Sequence, residues 1–239
     1  MRKKEIINNS EEQRIVVPGE TIVSGEEFLP SDGVWRDGDD IVAKRFGLVD
    51  ISDKLVRVIA LSGVYQPRKG NVIIGEVVDV TPNGWVIDFG GTQDAFLSLN
   101  EVPRYVSKGE LRDYLDFGEI VCVKIIDISE KGIEVTVKAR NLGKLKDGQL
   151  VKINSNKVPR VIGREGSMVN LIKKGTGCDI IVGQNGVVWV RSNKIENELK
   201  AKRLIEFVCE NVTTEGLTER VEEFIKKMKE EERDGRKHK

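Results

Sequence analysis

The stretch Val158-Pro-Arg-Val-Ile-Gly-Arg-Glu-Gly-Ser167 governs how the rest of this 239-residue chain reads. Its two glycines, Gly163 and Gly166, stand three apart behind an apolar Val161-Ile162 pair, and Ser167 opens a run to Lys174 with helical spacing. The pattern predicts a tight turn between two short helices, with glycine at both corners so that backbone N–H groups can approach a ligand closely. A helix N-terminus presents unsatisfied donors and the positive end of its dipole, so the fitting ligand is a phosphate. Arg160, Arg164, Lys173 and Lys174 bring positive charge nearby in sequence. Spacing alone is equally compatible with a surface helix–turn–helix that binds nothing.

Working outward, residues 149–154 read as a strand, 157–162 as a short helix and 167–174 as a second helix stopped by Gly175-Thr-Gly177. Residues 178–182 and 186–191 form a hairpin around Gly183-Gln-Asn-Gly186. Residues 194–211 then place Ile195, Leu199, Ala201, Leu204, Ile205, Val208 and Cys209 at helical spacing. The order is β-α-α-β-β-α. The second Gly-x-x-Gly motif is a control on the first. Asn-Gly between two strands is a hairpin signal, so turn geometry accounts for Gly183 and Gly186 and no ligand is assigned there.

Upstream, residues 71–80, 85–89, 95–99, 119–128 and 132–137 read as five strands, with Pro82-Asn-Gly84, Gly90-Gly91 and Lys131-Gly132 as turns. Five strands in about 70 residues, with a longer connection before the fourth, suit a five-stranded OB barrel. Trp85, Ile87 and Phe89 alternate toward its core. The connection, residues 100–118, carries Arg104, Tyr105, Lys108, Arg112 and Tyr114. Cations interleaved with tyrosines suit a single nucleic-acid strand; a solvated loop whose tyrosines pack on the barrel is the alternative.

Ahead of the barrel, residues 14–67 are short β-branched runs broken by turns such as Pro18-Gly19 and Pro30-Ser-Asp-Gly33, a small all-β domain. Its carboxylates, Asp32, Asp37, Asp39 and Asp40, lie in glycine-rich turns without a catalytic grouping, so a docking module and a spacer both remain open. Residues 1–12 are a charged end. In the tail, Leu217, Val221, Phe224, Ile225 and Met228 share one helical face, and residues 230–239 are a charge run. The plan is therefore mainly β with α+β. A small β domain spans 1–69, the barrel 70–140, the β-α-α-β-β-α domain 141–212 and a helix with charged tail 213–239.

Composition narrows the chemistry. Cys122, Cys178 and Cys209 are far apart within apolar patterns and read as buried thiols of a reducing compartment. The only histidine is His238, which argues against a metal centre or a histidine-based triad, and no cofactor is expected. No run approaches the ~20 apolar residues of a membrane span, so a cytoplasmic protein is expected. Net charge is zero, but unevenly distributed. Residues 1–69 hold 11 Lys/Arg against 12 Asp/Glu, residues 70–139 hold 6 against 12, residues 140–210 hold 14 against 7, and the tail balances at 8 and 8. The basic third contains the glycine turn, which favours nucleic acid as its ligand.

These residues resemble known modules. Strand–helix–Gly-x-x-Gly–helix–hairpin–helix is the pattern of the KH domain, whose loop clamps about four nucleotides. Gly75-Glu-Val-Val-Asp-Val80, Gly84-Trp-Val-Ile-Asp-Phe-Gly90 and Asp94-Ala-Phe-Leu-Ser98 resemble the RNA-binding repeat of ribosomal protein S-one. The whole order, with Gly-x-Asn-Gly in the hairpin, resembles the family of RNA-binding cap subunits of the archaeal exosome. The resemblance implies a non-catalytic subunit with single-stranded RNA as ligand. It implies three copies docked through the N-terminal domain on a hexameric ring of phosphorolytic subunits, feeding RNA to the pore for 3'-5' degradation. It also implies an RNA clamp of Arg160, Ile162, Gly163, Arg164, Glu165, Gly166, Ser167, Lys173 and Lys174, to which the interleaved charges and tyrosines add Arg104, Tyr105, Lys108 and Arg112 on the barrel connection as candidate RNA contacts.

Two departures stand out. The base-stacking aromatics usual for the S-one repeat fall here on Asn83, Val86 and Ser98, which removes ~1–3 kcal/mol per base. Glu165 places an acid in the clamp. Competing readings are a relative of polynucleotide phosphorylase, for which no catalytic segment remains; a transcription-elongation factor, a type that carries two KH copies; and an assembly scaffold.

Overall fold

The computed structural model describes residues 14–107, 109–130, 132–211 and 216–237. The charged end at 1–12, Lys108, Lys131 and the last residues of the tail, including His238, lie outside them. The chain divides into two units, Met1–Gly63 and Val64–Lys239.

The first unit is built from seven short strands: β1 (Ile15–Val16), β2 (Thr21–Ser24), β3 (Leu29–Pro30), β4 (Val34–Asp37), β5 (Asp40–Ala43), β6 (Gly47–Ser52) and β7 (Leu55–Ala60). They form two sheets, ordered β1-β6-β7-β3 and β2-β5-β4. Period-two alternation sorts β7, with Val56 and Val58 buried and Leu55, Arg57 and Ile59 exposed. The core is Val16, Ile22, Val34, Ile41, Ala43, Val56 and Val58. On the outer face, register sets Ile15 beside Leu48 and Leu48 beside Ile59, next to an Asp50–Arg57 ion pair.

The second unit begins with the barrel: β8 (Val72–Thr81), β9 (Gly84–Asp88), β10 (Ala95–Ser98), a one-turn helix α1 (Leu111–Tyr114), β11 (Ile120–Ser129) and β12 (Gly132–Thr136). The strands run β12-β10-β9-β8-β11, and β11 pairs with β12 to close the ring. The β10–β12 pairing is parallel and the others are antiparallel. Register shifts in β8 between Val77 and Asp79, and in β11 between Ile125 and Asp127, supply the extra bend that closure of so small a barrel needs. A two-residue strand, β13 (Gly143–Lys144), extends the sheet along β11. It is too short to leave a period in the sequence.

Trp85, Ile87 and Phe89 point inward, and Trp85 is fully buried. Its indole Nε1–H donates to the Leu115 carbonyl at 2.8 Å, so the large ring is buried without an unpaired donor. Trp85→Ala should destabilise the second unit by about 3–5 kcal/mol, the usual cost of emptying a core aromatic site. Urea unfolding followed by circular dichroism checks this; an unchanged midpoint would contradict the packing role.

The remainder is β14 (Gln149–Lys152), α2 (Val158–Ile162), α3 (Ser167–Thr176), β15 (Asp179–Val182), β16 (Val187–Arg191), α4 (Ile195–Glu210) and α5 (Leu217–Lys237). The sheet order is β14-β16-β15, all antiparallel. The buried stripe of α4 (Ala201, Leu204, Ile205, Val208, Cys209) covers one face together with Val161, Met168 and Ile172. Leu217, Val221 and Ile225 of α5 join the same core, and Phe224 stacks on Phe207 with centroids 4.6 Å apart.

The hairpin between β15 and β16 is more than a turn. Gln184 N–H donates to the Val72 carbonyl at 2.8 Å, and Val72 N–H returns a bond to Gln184 Oε1 at 2.5 Å. Asn185 Oδ1 accepts from Ile74 N–H at 3.2 Å, while its Nδ2 donates to the Ile74 and Phe89 carbonyls at 2.8 and 2.9 Å. One side-chain amide thus spends its acceptor and both donors on the barrel. Beside these bonds, Ile74, Cys122 and Trp189 form a buried apolar seam. Turn geometry is therefore only part of the reason for the second Gly-x-x-Gly. Gly186 has φ +85°, and a Cβ there would stand 2.3 Å from the Ile153 carbonyl oxygen. The three thiols are free and buried, and burial pushes Cys122 up to about 12 and Cys209 to about 11.

Candidate nucleic-acid interface

Helix α2 is short because Pro159 is tolerated in its first turn and Gly163 ends it. Gly163 takes φ 73° and ψ 172°, a region open almost only to glycine. A Cβ there would stand 2.7 Å from the Met168 nitrogen and 2.8 Å from Ser167 Oγ. Residues Arg164–Gly166 make one tight turn, in which Glu165 adopts φ 52°, ψ 27° and Gly166 φ 78°, ψ 14°. Helix α3 starts directly at Ser167 with no side chain capping it. Gly166 and Ser167 N–H are taken by the Gly163 and Arg164 carbonyls, so what the glycine turn offers an anion is the positive end of the α3 dipole.

Arg160, Arg164, Glu165 and Ser167 are exposed around this turn, and Ile162 is half-buried beneath it. Lys173 and Lys174 are placed elsewhere. They occupy the last turn of α3, roughly 10 Å along the axis at 1.5 Å per residue. Closeness in sequence overstated their closeness to the turn, and they belong to the far end of the helix. An open groove of about 330 Å³ runs from Gly163 along Pro159, Val158 and Ser155 to Gln184, the residue bonded to the barrel. Its mixed apolar and polar lining at the mouth of a cationic turn suits a strand whose phosphates sit on the turn and whose bases lie in the groove.

On the barrel, Asn83 is exposed and Val86 and Ser98 are half-buried on the outer face, opposite in phase to Trp85, Ile87 and Leu97. Register carries a row across this face from Asp79 to Val86, Phe96 and Glu134, with Asp127 beyond. The strand face thus offers one half-buried phenylalanine among carboxylates, a poor surface for an anionic polymer. In the connection before β11, Tyr114 is taken up by packing. Its ring lies 5.3 Å from Trp85, and the Arg104 guanidinium covers it at 5.2 Å from the centroid. Burial raises the Tyr114 hydroxyl's pKa, with Arg104 pulling the other way. Tyr105 and Arg112 stay exposed. Among the described residues, no group of His, Cys, Asp and Glu could hold a metal ion.

Sequence reasoning missed two features. One is Asn185, which the sequence offers only as half of an Asn-Gly hairpin signal, so its bonds to barrel backbone left no separate sign. The other is Phe117, 68% exposed in the connection, where an apolar residue between Asp116 and Gly118 was the available sign.

Comparison with known proteins agrees with this geometry. Residues 64–116 match the family model for the S1 domain of RRP4, and residues 148–196 match a KH-domain model. The exosome complex component Rrp4 of Thermoplasma acidophilum is 40% identical over 226 residues, covering 93% of this chain and 94% of that protein. The protein of the same name from Methanothermus fervidus is 40% identical over 217 residues, covering 90% and 96%. A crystal structure described as that of an exosome complex RNA-binding protein superposes with a TM-score of 0.62 at 31% identity, covering 73% of this chain and 99% of that one. Identity at this level along nearly the whole length, with barrel and KH domain in the same order, leaves one conclusion: the chain belongs to the Rrp4 family of exosome components, RNA-binding subunits without catalytic activity.

Proposed function

We propose that this chain caps a hexameric ring of phosphorolytic exosome subunits in the cytoplasm, three copies to a ring, and hands single-stranded RNA to the pore for 3'-5' degradation. The observation that carries the RNA role is the glycine turn at the uncapped start of α3, flanked by Arg160 and Arg164 and opening into the groove that ends at Gln184. Phosphates bind the turn through the positive end of the α3 dipole and the two guanidinium ions, and the barrel adds length to the path.

Support for docking through the first unit is its exposed apolar content. Ile15, Leu29, Trp35, Leu55 and Ile59 are each 42–59% exposed in a domain of some 50 described residues. Surfaces of this kind mark protein contacts.

Native mass spectrometry of the full chain with ring subunits, run beside an RNA titration, tests the proposal. Three copies per hexamer are expected, with Ile59→Asp weakening assembly while single-stranded RNA binding by the free chain stays unchanged. A chain that ignores the ring, or that degrades RNA with phosphate on its own, would defeat the reading.

A further inference from the structure

An OB barrel stripped of its stacking residues still has to hold bases if it lies on an RNA path. Tyr105 is 92% exposed, more than any other large hydrophobic side chain among the described residues, and Phe117 is 68% exposed. Both belong to the connection before β11, one on either side of Tyr114 in the chain. Tyr105 follows Arg104, whose guanidinium lies on Tyr114, and Phe117 comes three residues after Tyr114, so its Cα is within ~11 Å of that of Tyr114.

The base of this arrangement is rigid. Trp85 in the barrel core holds Tyr114, Tyr114 holds Arg104, and Val106, Leu111 and Leu115 anchor the connection from inside. Exposed aromatics held on such a base do not need to be there for folding.

The charge pattern selects the occupant. Residues 70–139 contain six Lys/Arg, and three of them, Arg104, Lys108 and Arg112, fall in this connection. Three of its four carboxylates are engaged within the fold: Glu101 faces Lys138 at 3.9 Å, Glu110 accepts from Ser107 N–H, and Asp116 accepts from Phe117 N–H. The strand-face row from Asp79 to Asp127 holds three carboxylates and no cation, although Asp127 faces Lys69 at 3.9 Å and Asp79 accepts from Val80 N–H. Exposed aromatic rings in the same connection as Arg104 and the exposed Arg112, on a barrel that is otherwise acidic, suit the bases and phosphates of a single strand.

We propose that Tyr105 and Phe117 form a displaced base-stacking platform, with Arg112 and the outer side of the Arg104 guanidinium beside it. The nucleic-acid surface of this barrel is moved from its strands to the connection before β11, and its ligand is single-stranded RNA held without sequence preference. The proposal rests on the RNA-binding reading above and adds a second contact to the glycine turn.

The test is a titration of the full chain with an unstructured oligonucleotide, such as oligouridylate, at several salt concentrations. Tyr105→Ala and Phe117→Ala should each weaken binding about 5- to 150-fold, the range for loss of one stacked base. The salt slope should not change, because stacking releases no counterions. Tyr105→Phe should keep wild-type affinity.

If both alanine variants bind like wild type while Arg164→Asp binds weakly, the platform is overturned and the turn stands. Weakened ring association with unchanged RNA affinity would make the surface a protein contact and would also overturn the proposal. Absence of RNA binding by the unaltered chain would remove both readings.

Discussion

Arg164→Asp is expected to lower the affinity of the full chain for single-stranded RNA by roughly ten- to a hundredfold, matching ~1.5–3 kcal/mol for one hydrogen bond to a charged group. Arg164 is exposed at the corner of the turn, next to the open start of α3. The salt dependence should change with it. Each phosphate contact to a single strand contributes about 0.7 to the slope of log affinity against log salt, so the variant should lose about that much. Glu165 supplies the opposite sign. Its side chain is exposed on the same turn, where a carboxylate repels a phosphate, so Glu165→Gln should tighten binding several-fold. The pair is diagnostic because the two substitutions are adjacent and both exposed, so generic damage to the turn would weaken RNA binding in both. Wild-type affinity in Arg164→Asp would show that the turn is not the phosphate site.

Asn185→Ala should be the most damaging surface-to-interior change in the second unit, costing roughly 3–5 kcal/mol. The side chain makes three bonds to barrel backbone, at Ile74 N–H, Ile74 C=O and Phe89 C=O. Its loss leaves those groups unpaired beside the buried seam of Ile74, Cys122 and Trp189. Each stranded group costs about 1–3 kcal/mol, partly recovered by water. Asn185→Asp should be no better, although it is nearly isosteric. A carboxylate keeps the acceptor for Ile74 N–H but sets negative charge against two carbonyl oxygens. Chemical denaturation of the full chain, with limited proteolysis at residues 138–148, measures this. A shared midpoint for barrel and KH domain should split into two. One unchanged cooperative transition in both variants would mean that the apolar seam alone joins the domains.

Legibility of the chain followed the range of the interactions. The barrel strands, the two helices around the glycine turn and the closing helix were readable because period-two and helical patterns express burial of one face, a local property of the sequence. Trp85 was read as packing because it alternates with Ile87 and Phe89. Lys173 and Lys174 show the limit of the same reasoning: a helix carries residues away from a turn at 1.5 Å per position, so neighbours in sequence became opposite ends in space. Tyr114 and Tyr105 were indistinguishable as letters, yet one is half-buried between Trp85 and Arg104 and the other is 92% exposed.

By itself, then, the sequence determined the order of β domain, barrel and KH domain, the basic character of the KH region, and the glycine requirement of the turn at Gly163, because each rests on local periodicity, composition or backbone sterics. Only the tertiary structure decided that Gly183-Gln-Asn-Gly186 is a joint and not merely a turn, that the barrel's strand face is acidic, and that its aromatics emerge at Tyr105 and Phe117. Those three depend on pairings between residues up to 112 positions apart, and no local pattern encodes which distant backbone a side-chain amide will meet.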